Sequence, residues 1–126
     1  MRDEASFMRD EIKKLNKLVD EISSLFMRRG SCEIDIKIKR DKDQSIIKII
    51  DYNTTYTPDE IDELNYILNI QRQCEIESFC WELMGDDSKE DELFLVGSMV
   101  DAAVVDKIEN ELHITMYRKF LCKSKG

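Results

Sequence analysis

One proline, four glycines, one histidine and four cysteines are all the sequence has of those residues in 126 positions. A lone histidine, His113, and cysteines without a CxxC pair exclude the usual structural zinc sites. No apolar run is long enough to cross a bilayer, so membrane insertion is not expected. The start, MRDEASFMRDEIKK, has no apolar stretch of the kind a secretory signal needs. Basic residues are in deficit, 19 against 27 acidic, and the net charge is −8. Phosphate neutralisation needs clustered Lys and Arg, so nucleic acid is not expected as the main partner. With no signal, Cys32, Cys74, Cys80 and Cys122 are expected to stay thiols in the cytoplasm. The first three sit among apolar residues and read as small core side chains.

What is present is 42% hydrophobic and 37% charged residues, the balance of a globular domain rather than a disordered chain. The length suits a single domain, 1–126, with 1–11 a possible linker or dimer arm and 120–126 a flexible tail. Met8, Ile12, Leu15, Val19, Ile22 and Phe26 alternate by four and three, which predicts one long helix stopped at Gly30. Its stripe also suits pairing with a second copy. CEIDIKIKR then alternates strictly, with Cys32, Ile34, Ile36 and Ile38 on one face, and reads as a half-buried strand. Asp41–Gln44 turns the chain into SIIKIID, whose aliphatic density marks a central strand.

Thr57-Pro58-Asp59-Glu60 carries a helix start: a capping threonine, proline in the first turn and a glutamate able to close a capping box. Ile61, Leu64, Ile67 and Leu68 supply its apolar stripe. QCEIESFCWELM continues as helix or forms another, with Phe79 and Trp81 as core. Gly85-Asp86-Asp87-Ser88 breaks it, and Ser88 can cap the next helix, from Glu92 to about Val100. DAAVVDKI and ELHITMYRK read as strands joined at Glu109–Asn110. Leu112, Ile114 and Met116 face one side of the last strand; His113, Thr115 and Tyr117 face the other. The expected fold class is α+β, a two-layer sandwich with helices on one face of a mixed four-stranded sheet.

Three stretches carry a family resemblance: EISSLFMRRG (Glu21–Gly30), IKIIDYNTTYTPDEI (Ile47–Ile61) and ELFLVGSMVDAAVVDKIENELHITMYRK (Glu92–Lys119). In that order they resemble the histidine-kinase-like ATPase superfamily, which includes sensor kinases and anti-sigma-factor serine kinases. The first is similar to the family's helix bearing a glutamate and, four residues on, a metal-binding asparagine. The second is similar to the strand ending in a DxGxG turn. The third resembles the closing helix-strand-strand of the anti-sigma serine kinases. The resemblance spans roughly residues 12 to 119.

That resemblance implies a nucleotide pocket, and it assigns candidates position by position. Glu21 stands at the family's glutamate, a possible catalytic base. Leu25 replaces the asparagine and offers magnesium no oxygen. Asp51 matches the aspartate that accepts from the adenine amino group, although an aspartate after a strand also commonly sets a turn. Asn53 and Thr55 replace the motif's glycines, which permit positive φ and close backbone approach. Glu92 and Phe94 replace the glycines that bring a helix N-terminus onto phosphates. A carboxylate there repels a triphosphate and a phenyl ring fills its space.

The resemblance therefore implies a degenerate nucleotide site, with no metal and no cofactor expected. It points to a kinase-like regulatory domain of bacterial signalling that acts through a protein partner, with a homodimer through the first helix. Two other readings stand beside it. One is an active histidine or serine kinase domain using Mg-ATP in an atypical pocket. The other is a small dimerisation module without a ligand.

Overall fold

The computed structural model describes residues 4–80 and 91–121, with the side chains of residues 5–77 and 93–121. Helix α1 (Glu4–Arg28) is followed by strands β1 (Ile34–Arg40) and β2 (Gln44–Asp51). Helices α2 (Pro58–Leu68), α3 (Cys74–Cys80) and α4 (Asp91–Ser98) come next, then β3 (Ala102–Ile108) and β4 (Glu111–Lys119). Among the described residues no helix is long and apolar enough to cross a membrane.

Local chemistry sets most boundaries. At the end of α1, Gly30 takes φ +97°, and the Ser31 amide bonds back to the Phe26 carbonyl. Only glycine adopts that conformation cheaply, so α1 stops there. The Asp41 carboxylate accepts from the amides of Asp43 and Gln44 at 2.7 and 2.9 Å, closing the β1–β2 turn. Thr57 and Glu60 form the expected capping box on α2, with Pro58 in the first turn. α2 ends at Leu68, so CEIESFC is a separate helix, α3, rather than its continuation. Trp81, the Gly85–Ser88 break and residues 122–126 lie outside the described residues, as does the side chain of Phe79.

The sheet runs β1-β2-β4-β3, and all three pairings are antiparallel. This corrects the expected mixed sheet. β1–β2 and β3–β4 are hairpins, and the long helical connection returns β4 antiparallel to β2, pairing Ile47 with Met116 and Ile49 with Ile114. One face of the sheet and the helices share a single core. Ile47, Ile49, Leu112, Ile114 and Met116 meet Leu18, Ile22 and Phe26 of α1, Leu64 and Leu68 of α2, and Val96 of α4. Each such burial stabilises by roughly 1.5–3 kcal/mol.

Two readings of the apolar pattern change. In α1 the buried stripe is Glu11, Leu15, Leu18, Ile22 and Phe26, while Ile12 is 44% exposed. The helix is turned relative to the expected stripe because Glu11 is drawn inward to an arginine. In β1, Ile34 packs on the core, but Ile36 and Ile38 are exposed at 44% and 42%. β1 is an edge strand, and its outer end extends past the helix layer. The cysteines also differ from expectation: Cys32 is exposed and free, and Cys74 is disulfide-bonded to a partner outside the described side chains. A disulfide withdraws the cysteine argument for a reducing compartment.

Helix α1 is continuous from Glu4, through the segment read as a linker or arm, and Glu11 within that segment is 2% exposed. Asn69 closes α2 onto β3. Its amide accepts from the Ala103 N–H at 3.0 Å and donates to the Ala103 carbonyl at 2.9 Å, imitating a neighbouring strand at that edge.

Candidate functional site

The candidate pocket begins where β2 leaves the sheet. Asp51 is its last residue and is 2% exposed. Its Oδ1 accepts from the Ser31 hydroxyl at 2.6 Å and from the Asn53 amide at 3.2 Å. The second bond is a local turn of the kind aspartate favours after a strand; the first ties that turn to the exit of α1. Asn53 and Thr55 are exposed. The Thr55 hydroxyl donates to the Arg29 carbonyl at 3.4 Å, and Arg29 Nη2 donates to the Thr55 carbonyl at 3.4 Å.

Arg29 organises the rest of this corner. It forks onto Glu60 at 2.7 and 3.0 Å, and its guanidinium lies 3.9 Å from the centre of the Tyr56 ring. Tyr56 in turn meets Phe26 edge-on, with ring centres 6.3 Å apart. The Arg29 hydrogen bonds, helped by the Thr57 amide, hold the Glu60 carboxyl down at about 2. Glu60 therefore has two tasks, capping α2 and anchoring the end of α1. The turn after β2 is thus stitched on both sides by the protein's own groups.

The other assigned positions are scattered in role. Leu25 is partly buried and packs against the core. Glu21, the candidate base, is buried at 6% exposure. Phe94 is 49% exposed, so its ring stands in solvent rather than filling a cavity. Glu92 lies in the first turn of α4, and its side chain is outside the described residues. The structure therefore brings Asp51, Asn53 and Thr55 together on one loop, with Leu25 serving the core. No group of three or more metal-ligating side chains occurs among the described residues.

Gly97 explains the seat of α4. A Cβ added there would lie 2.1 Å from the Ile67 carbonyl oxygen, so the backbones of α4 and α2 meet directly. Only a residue without a side chain allows that approach.

A second cluster, not foreseen from the sequence, is the most heavily bonded point in the fold. Arg118 is 1% exposed and donates to Glu11 from Nε and Nη2 at 2.8 and 3.0 Å. It also donates to Glu77 at 3.0 and 2.7 Å, and to the Met99 carbonyl at 2.6 Å. Glu77 further accepts from Lys14 at 3.0 Å and Arg72 at 3.2 Å. Arg72 continues to Asp101 at 3.0 Å and to the Lys119 carbonyl at 2.9 Å.

Among the described residues this network joins three cations, Lys14, Arg72 and Arg118, to three carboxylates, Glu11, Glu77 and Asp101. Burial by itself would raise the Glu77 carboxyl, but the hydrogen bonds and charges of Arg118 and Arg72 prevail and hold it at about 2. Burial would likewise lower Arg118, and its two carboxylates instead raise it. These bonds clamp α1 and α3 to β4. The signal was present in the alternation of β4: Leu112, Ile114 and Met116 point inward, and a further step of two reaches Arg118.

The chain matches no protein-family model and no curated protein.

Proposed function

We propose that the chain is a kinase-like regulatory domain of bacterial signalling that works through protein contacts, its nucleotide site being degenerate. One observation carries the reading: Asp51, the residue matched to the adenine-binding aspartate, is buried and its Oδ1 holds Ser31 and Asn53. A carboxylate so placed fixes a turn and is withdrawn from an incoming base. Leu25, packed on the core, supports the same view from the metal side, since an aliphatic chain gives magnesium no oxygen. Calorimetric titration of the full chain with Mg-ATP tests it. No heat of binding at millimolar nucleotide is expected, and micromolar affinity overturns the degenerate-site reading.

A second reading has its own support. The family that the sequence resembles is expected to have a mixed sheet, whereas every pairing here is antiparallel. That favours a small dimerisation module without a ligand, unrelated to kinases. Both readings place the function on surfaces rather than in a pocket. They part on partner choice: a regulatory domain captures a signalling protein, and the module captures its own copy.

A further inference from the structure

The chain has four cysteines; Cys32 is exposed and free, and Cys74 is disulfide-bonded. The partner of Cys74 is therefore Cys80 or Cys122. Helix geometry separates the two. Cys74 and Cys80 open and close the same helix, α3. Six residues along a helix rise about 9 Å, whereas the Cα atoms of a disulfide lie within about 7 Å of each other. Cys80 is out of reach, which leaves Cys122.

The fold brings the end of β4 to the start of α3. Glu77, three residues after Cys74, is bonded to Arg118 of β4 at 2.7 Å. Residues three apart share one side of a helix, so Cys74 lies on the side of α3 that meets β4. Arg72, two residues before Cys74, donates to the Lys119 carbonyl at 2.9 Å. The Asp101 carboxylate accepts from the Lys119 amide at 2.6 Å and from Arg72 at 3.0 Å. The last residue of β4 is thereby pinned beside the start of α3. Cys122 follows three residues later, and three extended residues span at most about 11 Å.

We infer that Cys74 and Cys122 form a disulfide that fastens the chain after β4 to the start of α3. The bond closes a loop of roughly fifty residues containing α3, α4, β3 and β4. It acts alongside the Arg118–Glu77 bonds, so α3 is held to β4 by charge and by a covalent link. Only the link answers to redox conditions. Closing it breaks two S–H bonds and makes one S–S bond. Two electrons and two protons pass to a disulfide oxidant such as oxidised glutathione, which leaves as two thiols. A dithiol reductant runs the exchange backwards and is itself closed to a cyclic disulfide.

Peptide mapping of the full chain tests the pairing. The protein is equilibrated with oxidised and reduced glutathione, its free thiols are alkylated, and trypsin is added. One linked pair is expected, residues 73–89 with residues 120–123. Fragmentation of that pair should place the bond on Cys74, and Cys32 should be alkylated. Thermal unfolding supplies a second measurement. Cys122→Ser should lower the midpoint of the oxidised protein by roughly 10 °C. A dithiol should bring the wild type down to the same value and leave Cys122→Ser unmoved. The inference is overturned if Cys74 is alkylated as a thiol, or is linked to anything but Cys122 of the same chain. It is equally overturned if the oxidised wild type and Cys122→Ser unfold at one midpoint.

Discussion

Arg118 on β4 and Glu11 on α1, 107 residues apart in sequence, are joined by two parallel hydrogen bonds of 2.8 and 3.0 Å in a buried setting. This fork, with Glu77 on the guanidinium's other side, fixes the rotation and depth of α1 on the sheet. Glu11 occupies a stripe position that hydrophobicity would give to Ile12. Docking of α1 at this end is thereby set by charge pairing.

Removing Arg118 leaves two buried carboxylates without their cation. Arg118→Ala should destabilise the fold by about 3–5 kcal/mol, as one-sided disruption of a buried ion pair does. Arg118→Lys should recover little, because an ammonium cannot fork onto both carboxylates. Replacing Arg118, Glu11 and Glu77 together by apolar residues of similar volume should cost far less than Arg118→Ala. Urea unfolding of the three variants measures the order.

Acid should act through Glu77. Its folded carboxyl titrates at about 2 against an ordinary 4.5, so the unfolded chain binds the proton first. Its stabilising contribution is therefore complete above about pH 4.5 and declines as pH falls toward 2. Glu60, also held at about 2, titrates in the same window from the surface. The urea midpoint of the wild type should fall across that range. Glu77→Gln should start lower at pH 7 and fall less steeply.

Gly97 provides a backbone test. In an ordinary helix interior Gly→Ala is favourable by about 1 kcal/mol. Here the added methyl would lie 2.1 Å from the Ile67 carbonyl oxygen and 3.1 Å from the Ile70 side chain. Gly97→Ala should therefore destabilise, by about 1–3 kcal/mol, as overpacking does. A raised thermal midpoint would show that α4 and α2 are not in that contact.

Features written in neighbouring residues were legible in advance. The capping box of Thr57 and Glu60, the Gly30 stop and the alternation of β4 each need only a few consecutive positions. What needed partners far along the chain was not. Exposure of Ile36 and Ile38 depends on where the helix layer ends, and local alternation does not contain that. The antiparallel pairing of β2 with β4 is decided by a long connection that includes α2, α3, α4 and β3, and the burial of Arg118 by glutamates on α1 and α3. At the candidate site, the identity of Asp51 was visible, whereas the donor Ser31, twenty residues earlier, was not.

The role of Asp51 decides between a turn anchor and a nucleotide ligand, and one experiment separates them: thermal unfolding of the wild type and Asp51→Ala, each with and without Mg-ATP. A turn anchor leaves Ser31 and Asn53 without their acceptor when removed, at a cost of about 1–3 kcal/mol. The account expects a lower midpoint for Asp51→Ala and no shift of the wild type by nucleotide. A midpoint raised by Mg-ATP in the wild type, lost in Asp51→Ala, with equal midpoints for both proteins in its absence, would contradict it.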